Sequence, residues 1–425
     1  MNLAGTLVGW AAAYTPDEDD LALAQRSLLD TLAVMLAARD HPIRPVADTL
    51  PDAARWSALG HVLDFDDLHV PSTTHISAVI VPAVLAAGAA DHDRASHDRA
   101  ARAYLAGAGV MARLGTLLGW PHYSAGWHAT CTAGAPAAAL AAGTVWGLSR
   151  PQLAVAMALA VPAAGGVQAA FGTQAKSLQV GLATQAGVRA AALARAGAGA
   201  DPRALDEWFG LVGGQVAATG PGSVDAAPAV PGGLAIKLYP CCYAMQRPIA
   251  AVRELRAELR SQLGEDIEQV VVATPKATAQ PLIHDRPRTG LEGKFSMPYA
   301  IATAFLDEYP GFGSFSDEAV NRGPAQALMA AVRTDYGPGD PGPAGLLDGT
   351  VDISVRLASG RELRTKLALP PGSPDRPPSP ADLAAKLAAC GPDVPGLLAG
   401  LTWPSAADLL RETLPAAAPA VPVTA

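Results

Sequence analysis

Between residues 61 and 75 the chain runs His-Val-Leu-Asp-Phe-Asp-Asp-Leu-His-Val-Pro-Ser-Thr-Thr-His. Three imidazoles (His61, His69, His75) and three carboxylates (Asp64, Asp66, Asp67) therefore fall within fifteen residues of a chain in which only 16% of residues are charged. A carboxylate that orients an imidazole makes an acid–base catalyst working near neutral pH. The same residue types also ligate zinc or iron. The plainest alternative is helix capping by Asp66 or Asp67 beside solvated histidines on a loop.

Three further stretches carry chemistry-bearing residues. Gly126-Trp127-His128-Ala129-Thr130-Cys131-Thr132-Ala133-Gly134 leads into a helical pattern, where free N–H groups and the helix dipole attract an anion. N-capping by Thr130 or Thr132 beside a packed His128 is the structural alternative. Lysine is scarce, with six in 425 residues, so two of them stand out. Lys176 falls in the first turn of a predicted helix, where the macrodipole disfavours a cation by about 0.3–1 kcal/mol. A bound anion would explain it, and so would an exposed lysine that tolerates the penalty. Lys237, in Ala-Ile-Lys-Leu-Tyr-Pro-Cys-Cys-Tyr, is flanked by apolar residues, and its stem can snorkel without any function.

These residues must be positioned by helices. Leu21, Ala24, Leu28, Leu32 and Met35 recur at helical spacing behind the start signal Thr15-Pro16-Asp17. Residues 39–60 are polar and proline-punctuated and read as a connection. Helical patterns then occupy about 76–90, 94–118, 133–148, 151–163, 176–197, 202–209 and 244–262. After residue 265 the texture changes. Residues 267–273 are β-branched, 351–357 alternate with period two, and Ala358-Ser359-Gly360 turns the chain into 361–369. Helices are expected at 295–308, 323–333, 380–390 and 404–414. The expected fold is mainly α, with a large all-helical domain over 1–264 and a smaller α+β lid over 265–395. Residues 396–425 are expected to pack back on the first domain, with a disordered tail after Pro415.

Composition narrows the function. Half of the residues are hydrophobic but only 5% are aromatic, so the core is built from Ala, Leu and Val. A net charge of −8 argues against a nucleic-acid partner. Four cysteines without CxxC spacing are no secreted disulfide framework. The N-terminus lacks the basic start of a signal peptide, and Pro151–Ala175 is interrupted by Pro and Gly, so a cytoplasmic protein with no membrane span is expected. GxxxxGK[ST], HExxH and GxSxG are missing, and the one GxGxxG, at 337–342, follows a stretch expected to be helical and opens no expected helix, which leaves dinucleotide, P-loop, zincin and α/β-hydrolase readings unsupported.

Taken in order, LLDTLAVMLAAR, HVLDFDDLH with TTHISAVIVPA, GWHATCTAGAPAAALAAG, AKSLQVGLATQAGVRAA, KLYPCCYAMQRPIAAV and TGLEGKFSMPYAIATAFLD resemble the MmgE/PrpD family. That family includes 2-methylcitrate dehydratases and cis-aconitate decarboxylases. The resemblance implies a helical domain with an α+β lid, a homodimer, and a cofactor-independent lyase with neither metal nor organic cofactor, acting on a small carboxylate substrate. It implies Asp64, His75, His128 and Lys176 as catalytic residues in a cleft between body and lid. Lys237, Cys242, His69, Thr74 and Gln179 are expected to bind substrate. Lys176 and Lys237 would stabilise charge on the substrate carboxylate, and His75 or His128 would move the proton. Leu68, Cys242 and Gln179 depart from the family pattern, in which a threonine, a histidine and a histidine are expected, and the 40–60 region is shorter than usual. An epimerase or isomerase using the same groups, or a non-catalytic binding protein on this scaffold, are the alternatives.

Overall fold

The computed structural model describes residues 2–90, 96–215, 228–259, 267–337 and 349–416. Asn2 caps the first helix, Leu3–Ala13 (α1), by accepting from the Gly5 amide at 2.7 Å. Asp17 and Asp20 form a reciprocal capping box at the start of Glu18–Ala37 (α2). The connection expected over 39–60 is instead two helices, Arg44–Ala47 (α3) and Asp52–Val62 (α4). Every residue of α4 after Asp52 is buried, so it shows no one-sided apolar stripe for periodicity to detect.

Six more helices complete the large domain: Ser77–Ala89 (α5), His97–Ser124 (α6), Ala129–Val145 (α7), Arg150–Ala160 (α8), Ala175–Arg195 (α9) and Ala204–Leu211 (α10). The Ala-rich α7 lies at the centre and touches α5, α6, α8 and α9. Small residues let these helices sit flush. A Cβ on Gly187 of α9 would lie 2.5 Å from the Ala135 carbonyl of α7, and one on Gly181 would lie 2.4 Å from the Ala54 carbonyl of α4. Gly181 thus seats α9 on the first turn of α4, and Lys176, one turn earlier on α9, reaches His61 at the far end of α4. Among the described residues no helix is long and apolar enough to cross a membrane.

The smaller domain is α+β. It contains Gln246–Leu259 (α11), Ile267–Thr274 (β1), Gly290–Gly293 (α12), Met297–Leu306 (α13), Asp317–Asn321 (α14), Gly323–Ala331 (α15), Val332–Tyr336 (β2), Val351–Leu357 (β3) and Glu362–Leu367 (β4). The sheet order is β2-β1-β3-β4, with β1 parallel to β2 and antiparallel to β3. The helix expected over 323–333 ends at Ala331, and β2 follows with no intervening turn. Val270 and Val272 of β1 pair with Val355 and Ile353 of β3, and all four lie in a second core. Helix α11, which the sequence division at 265 leaves with the first domain, packs on β3, β4 and α13. Three last helices, Pro380–Ala389 (α16), Val394–Leu398 (α17) and Trp403–Thr413 (α18), follow the sheet. Cys390, Val394, Leu398, Trp403 and Leu410 join the core of the large domain.

Candidate active site

Asp64 follows the end of α4 with φ +53°, a left-handed conformation that Asp and Asn tolerate better than other side-chain-bearing residues. That turn directs its carboxylate at two ammonium groups. Oδ1 accepts from Lys176 Nζ at 2.8 Å and from Lys237 Nζ at 3.0 Å. Lys176 arrives on the first turn of α9, pressed in by Gly181. Lys237 arrives on a strand-like segment pinned by reciprocal hydrogen bonds between Leu68 and Ala235, 3.0 and 2.9 Å long.

The backbone of the turn is held by lysines as well. Lys294 donates to the Leu63 carbonyl at 2.8 Å and to the Pro240 carbonyl at 2.5 Å. Lys237 donates to the Asp64 carbonyl at 3.1 Å, and Lys386 to the Phe65 carbonyl at 2.9 Å. Three successive carbonyls are thus each met by an ammonium from a different part of the chain: the small domain, the crossing segment and α16. Lys386 finds its counter-charge in buried Asp30, 2.7 Å away. Charge-assisted bonds of this kind are about twice as strong as neutral ones.

Electrostatics follow from burial and these contacts. Burial opposes ionisation of Asp64, but Lys176 and Lys237 overturn it and hold the carboxylate far below its ordinary range. Burial would lower Lys237, yet Asp64 and Asp66 keep its ammonium above the ordinary value. Lys294 faces carbonyls rather than a direct carboxylate partner, and burial brings it down to about 8. Asp66 is also kept ionised, since the His61 and His75 rings outweigh the penalty of burial.

Asp66 Oδ2 lies 2.7 Å from His61 Nδ1 and 3.0 Å from His75 Nδ1. The other nitrogen of His61 accepts from Lys176 at 2.8 Å, so His61 carries its proton on Nδ1, toward Asp66. His128 caps α7, and its ring lies 5.7 Å from that of His61, stacked on it. Its Nδ1 is 2.7 Å from Gln179 Nε2. Burial, reinforced by nearby His61 and Lys176, holds the His128 pKa well below its ordinary value, and burial takes His75 down to about 4.

Asp64, His75, His128 and Lys176 line one hollow, together with Leu68, Thr73, Tyr123, Phe171, Cys242, Tyr243, Ala244, Pro281 and Phe295. Its interior of about 40 Å³ has room for a few waters. Four buried polar atoms of lining residues have no hydrogen-bond partner: Asp64 Oδ2, His75 Nδ1, His128 Nε2 and the Tyr243 hydroxyl. Lys237 is fully buried and outside this lining, with its contacts on Asp64. His69 and Thr74 are also outside it. His69 bonds Ser72 Oγ at 2.7 Å and the Pro231 carbonyl at 2.6 Å, and Thr74 Oγ1 bonds Ser72 Oγ at 2.6 Å. These contacts shape the loop that presents Thr73 and His75. Asp67 caps α5 through the Ser77 amide and hydroxyl, and burial raises it to about 7. Gln179 reaches the hollow only through His128. Cys242 is a lining residue, its thiol pushed up to about 12 by burial.

The residues that sequence reasoning passed over are His61, Asp66, Thr73 and Lys294. The first two were visible as members of the dense stretch. Lys294 shares with Lys176 and Lys237 the signal of scarcity, being one of six lysines. A metal reading meets a physical obstacle. Ligand atoms of His61, Asp64, Asp66 and His75 lie within 4.8 Å of one another, but Asp64 Oδ1 and His61 Nε2 already receive ammonium protons. A divalent cation there would sit against Lys176 and Lys237.

A helical body and an α+β partner closing over buried lysines, carboxylates and imidazoles define a class of acid–base protein. Residues 46–214 match the MmgE/PrpD N-terminal domain and 239–396 the MmgE/PrpD C-terminal domain, and the chain belongs to the MmgE/PrpD family. It is similar to the cis-aconitate decarboxylase of Aspergillus terreus, 26% identical over 340 residues that cover 74% of this chain and 68% of that one. The same figures hold for the cis-aconitate decarboxylase of strain NIH 2624 / FGSC A1156. Family and relative together favour a lyase of the dehydratase or decarboxylase type.

Proposed function

We propose that the chain is a cofactor-independent lyase that removes water or carbon dioxide from a small di- or tricarboxylic acid. The observation that carries this reading is that two of the unpartnered buried atoms, Asp64 Oδ2 and His128 Nε2, share one hollow with Lys176. An acceptor, an imidazole nitrogen and a fixed ammonium suit a ligand that bears a hydroxyl or acid proton and a carboxylate. In dehydration, a base takes the proton next to the carboxylate, the C–H pair becomes a C=C bond, and the C–O bond breaks as the leaving hydroxyl takes up a proton. In decarboxylation the C–C bond to the departing carboxylate breaks and a proton fills the carbon left behind. Both routes build charge on the remaining carboxylate, where Lys176 stabilises the transition state more than the ground state.

The family likeness supports a homodimer. Leu182 and Leu193, exposed three turns apart on α9, offer an apolar face for a second copy. Four free buried cysteines suit a reducing, cytosolic compartment. Proton NMR of candidate acids incubated with the protein in D₂O tests the activity. The expected result is an alkene product with loss of water or CO₂. Exchange with inversion and no elimination would replace the lyase with an epimerase, and no change with any acid would leave a binding protein.

A further inference from the structure

Gln179 is one turn beyond Lys176 on α9, and its amide is held in one orientation. Oε1 accepts from the Val167 amide at 3.1 Å, while Nε2 donates to the Val167 carbonyl at 3.2 Å. An N–H can only donate and a C=O can only accept, so exchanging the two amide atoms would break both bonds. The atom 2.7 Å from His128 Nδ1 is therefore the amide nitrogen, with its second hydrogen on that line. His128 Nδ1 must then present a lone pair. Cys131 Sγ, 3.4 Å from the same nitrogen, adds a second donor, since burial keeps that thiol protonated. The single proton of the neutral ring is left on Nε2, the buried, unpartnered nitrogen of a residue that lines the hollow.

We infer that Gln179 is a positioning residue that fixes His128 as the Nε2–H tautomer and bars it from the imidazolium form. An imidazolium would bring an Nδ1–H against the amide N–H, hydrogen facing hydrogen. His128 accordingly enters the reaction as a neutral hydrogen-bond donor to a developing oxyanion, and is not the group that takes up the proton. That task falls to His75. Its Nδ1 is 3.0 Å from the Asp66 carboxylate, an ion-pair distance without hydrogen-bond alignment, and that negative charge favours the protonated ring. When His75 Nε2 takes the substrate proton, Asp66 balances the new charge. The reaction roles rest on the lyase reading; the tautomer does not.

The groups around His128 that titrate or carry charge are His61 and Asp64 at the end of α4, His75 ahead of α5, Cys131 on α7 and Lys176 on α9. Of these, only Cys131 Sγ lies within hydrogen-bond distance of Nδ1, and a thiol sulfur is a weak acceptor beside the Gln179 amide donor. The test is ¹⁵N NMR of the full-length protein labelled at histidine, with His128→Gln used only to assign the signal. The expected spectrum gives His128 a protonated Nε2 and an unprotonated Nδ1 throughout pH 6–8. An Nδ1–H tautomer, or a doubly protonated ring in that range, would overturn the inference. Gln179→Glu supplies an acceptor where the donor stood. It should move the His128 proton to Nδ1, lower kcat by about 10–100-fold with a smaller change in KM, and add a titration to the pH profile. A spectrum unchanged by Gln179→Glu, in a protein that still folds, would also overturn it. Because the spectrum needs no substrate, failure of every candidate acid to react would count against the lyase reading and leave the tautomer standing.

Discussion

The two walls of the hollow are made of different chemistry. On the large-domain wall Asp64, His75, His128 and Lys176 are charged or titratable, and their contacts run back into buried partners. The facing wall consists of Cys242, Tyr243, Ala244, Pro281 and Phe295, with no ionised group among them. It meets the body through Gln280 on Gln168 at 3.0 Å and His284 on the Phe171 carbonyl at 3.0 Å, and through Lys294, next to Phe295, on the Leu63 carbonyl at 2.8 Å. The difference separates two tasks. Chemistry needs groups fixed before substrate arrives, whereas closure needs a surface that excludes water and can move away.

Lys176→Met tests the charged wall most severely. Removing one preorganised donor to a developing charge typically costs 10²–10³-fold in kcat, about 3–4 kcal/mol. Steady-state kinetics should show that loss with the circular dichroism spectrum retained. A rate within fivefold of the parent would move the reaction elsewhere. Lys386→Met acts behind the same wall, about one turn of chain from the hollow. It frees the Phe65 carbonyl and leaves Asp30 buried without its partner, which should lower stability by roughly 3–5 kcal/mol. Urea denaturation reads this directly, and an unchanged midpoint would show that the carbonyl clamp contributes little.

On the neutral wall, Cys242→Ser keeps the shape and exchanges one weak donor for another. It should alter kcat/KM by less than about tenfold and shift preference among related acids, as a change of about 1–3 kcal/mol in pocket contacts would. A thousandfold loss would place Cys242 among the reacting groups and erase the contrast between the walls.

The smallest expected effect is on pH stability. His69 and His75 are held at about 4 in the folded chain against an ordinary 6.5, so the unfolded chain binds their protons first as pH falls. Their contribution is complete above 6.5 and is lost between 6.5 and 4. Asp67, raised from 3.8 to about 7, works the other way across that window, because the folded chain keeps its proton longer. His41, His61, His122 and His128 are lowered as well and Asp30 is raised like Asp67, so six histidines against two carboxyls predict a fall in Tm from pH 6.5 to 4.5, and a steeper fall in Asp67→Asn. A Tm that rises on acidification would reverse the assignment.

The composite of helical body and α+β partner was legible because α2, α9 and β3 carry clean periods and because the MmgE/PrpD motifs occur in order. Helix α4 was hidden by its complete burial, and β2 by following α15 without punctuation. Within the site, Lys176 stood out as a scarce cation at an unfavourable place on a helix. Proximity in sequence misled for His69, while Asp67 takes the capping role given as the plain alternative. The left-handed turn at Asp64 and the loop around Thr73 send neighbouring side chains in different directions, and spacing alone does not encode direction. Lys237 was expected on the ligand, but the acceptors it meets are a carboxylate and a backbone carbonyl. Backbone acceptors have no letter in a sequence, which is why the threefold lysine clamp was invisible before the fold.

That clamp ties catalytic competence to complete assembly. The carbonyls of Leu63, Asp64 and Phe65 are reached from residues 294, 237 and 386, so no N-terminal fragment can organise the turn by itself. A nascent chain gains its final support only when α16 emerges. Truncation before residue 380 should leave a helical product with a slack, inactive centre, and grafting the small domain from a relative succeeds only if the graft brings its lysine to the same carbonyl.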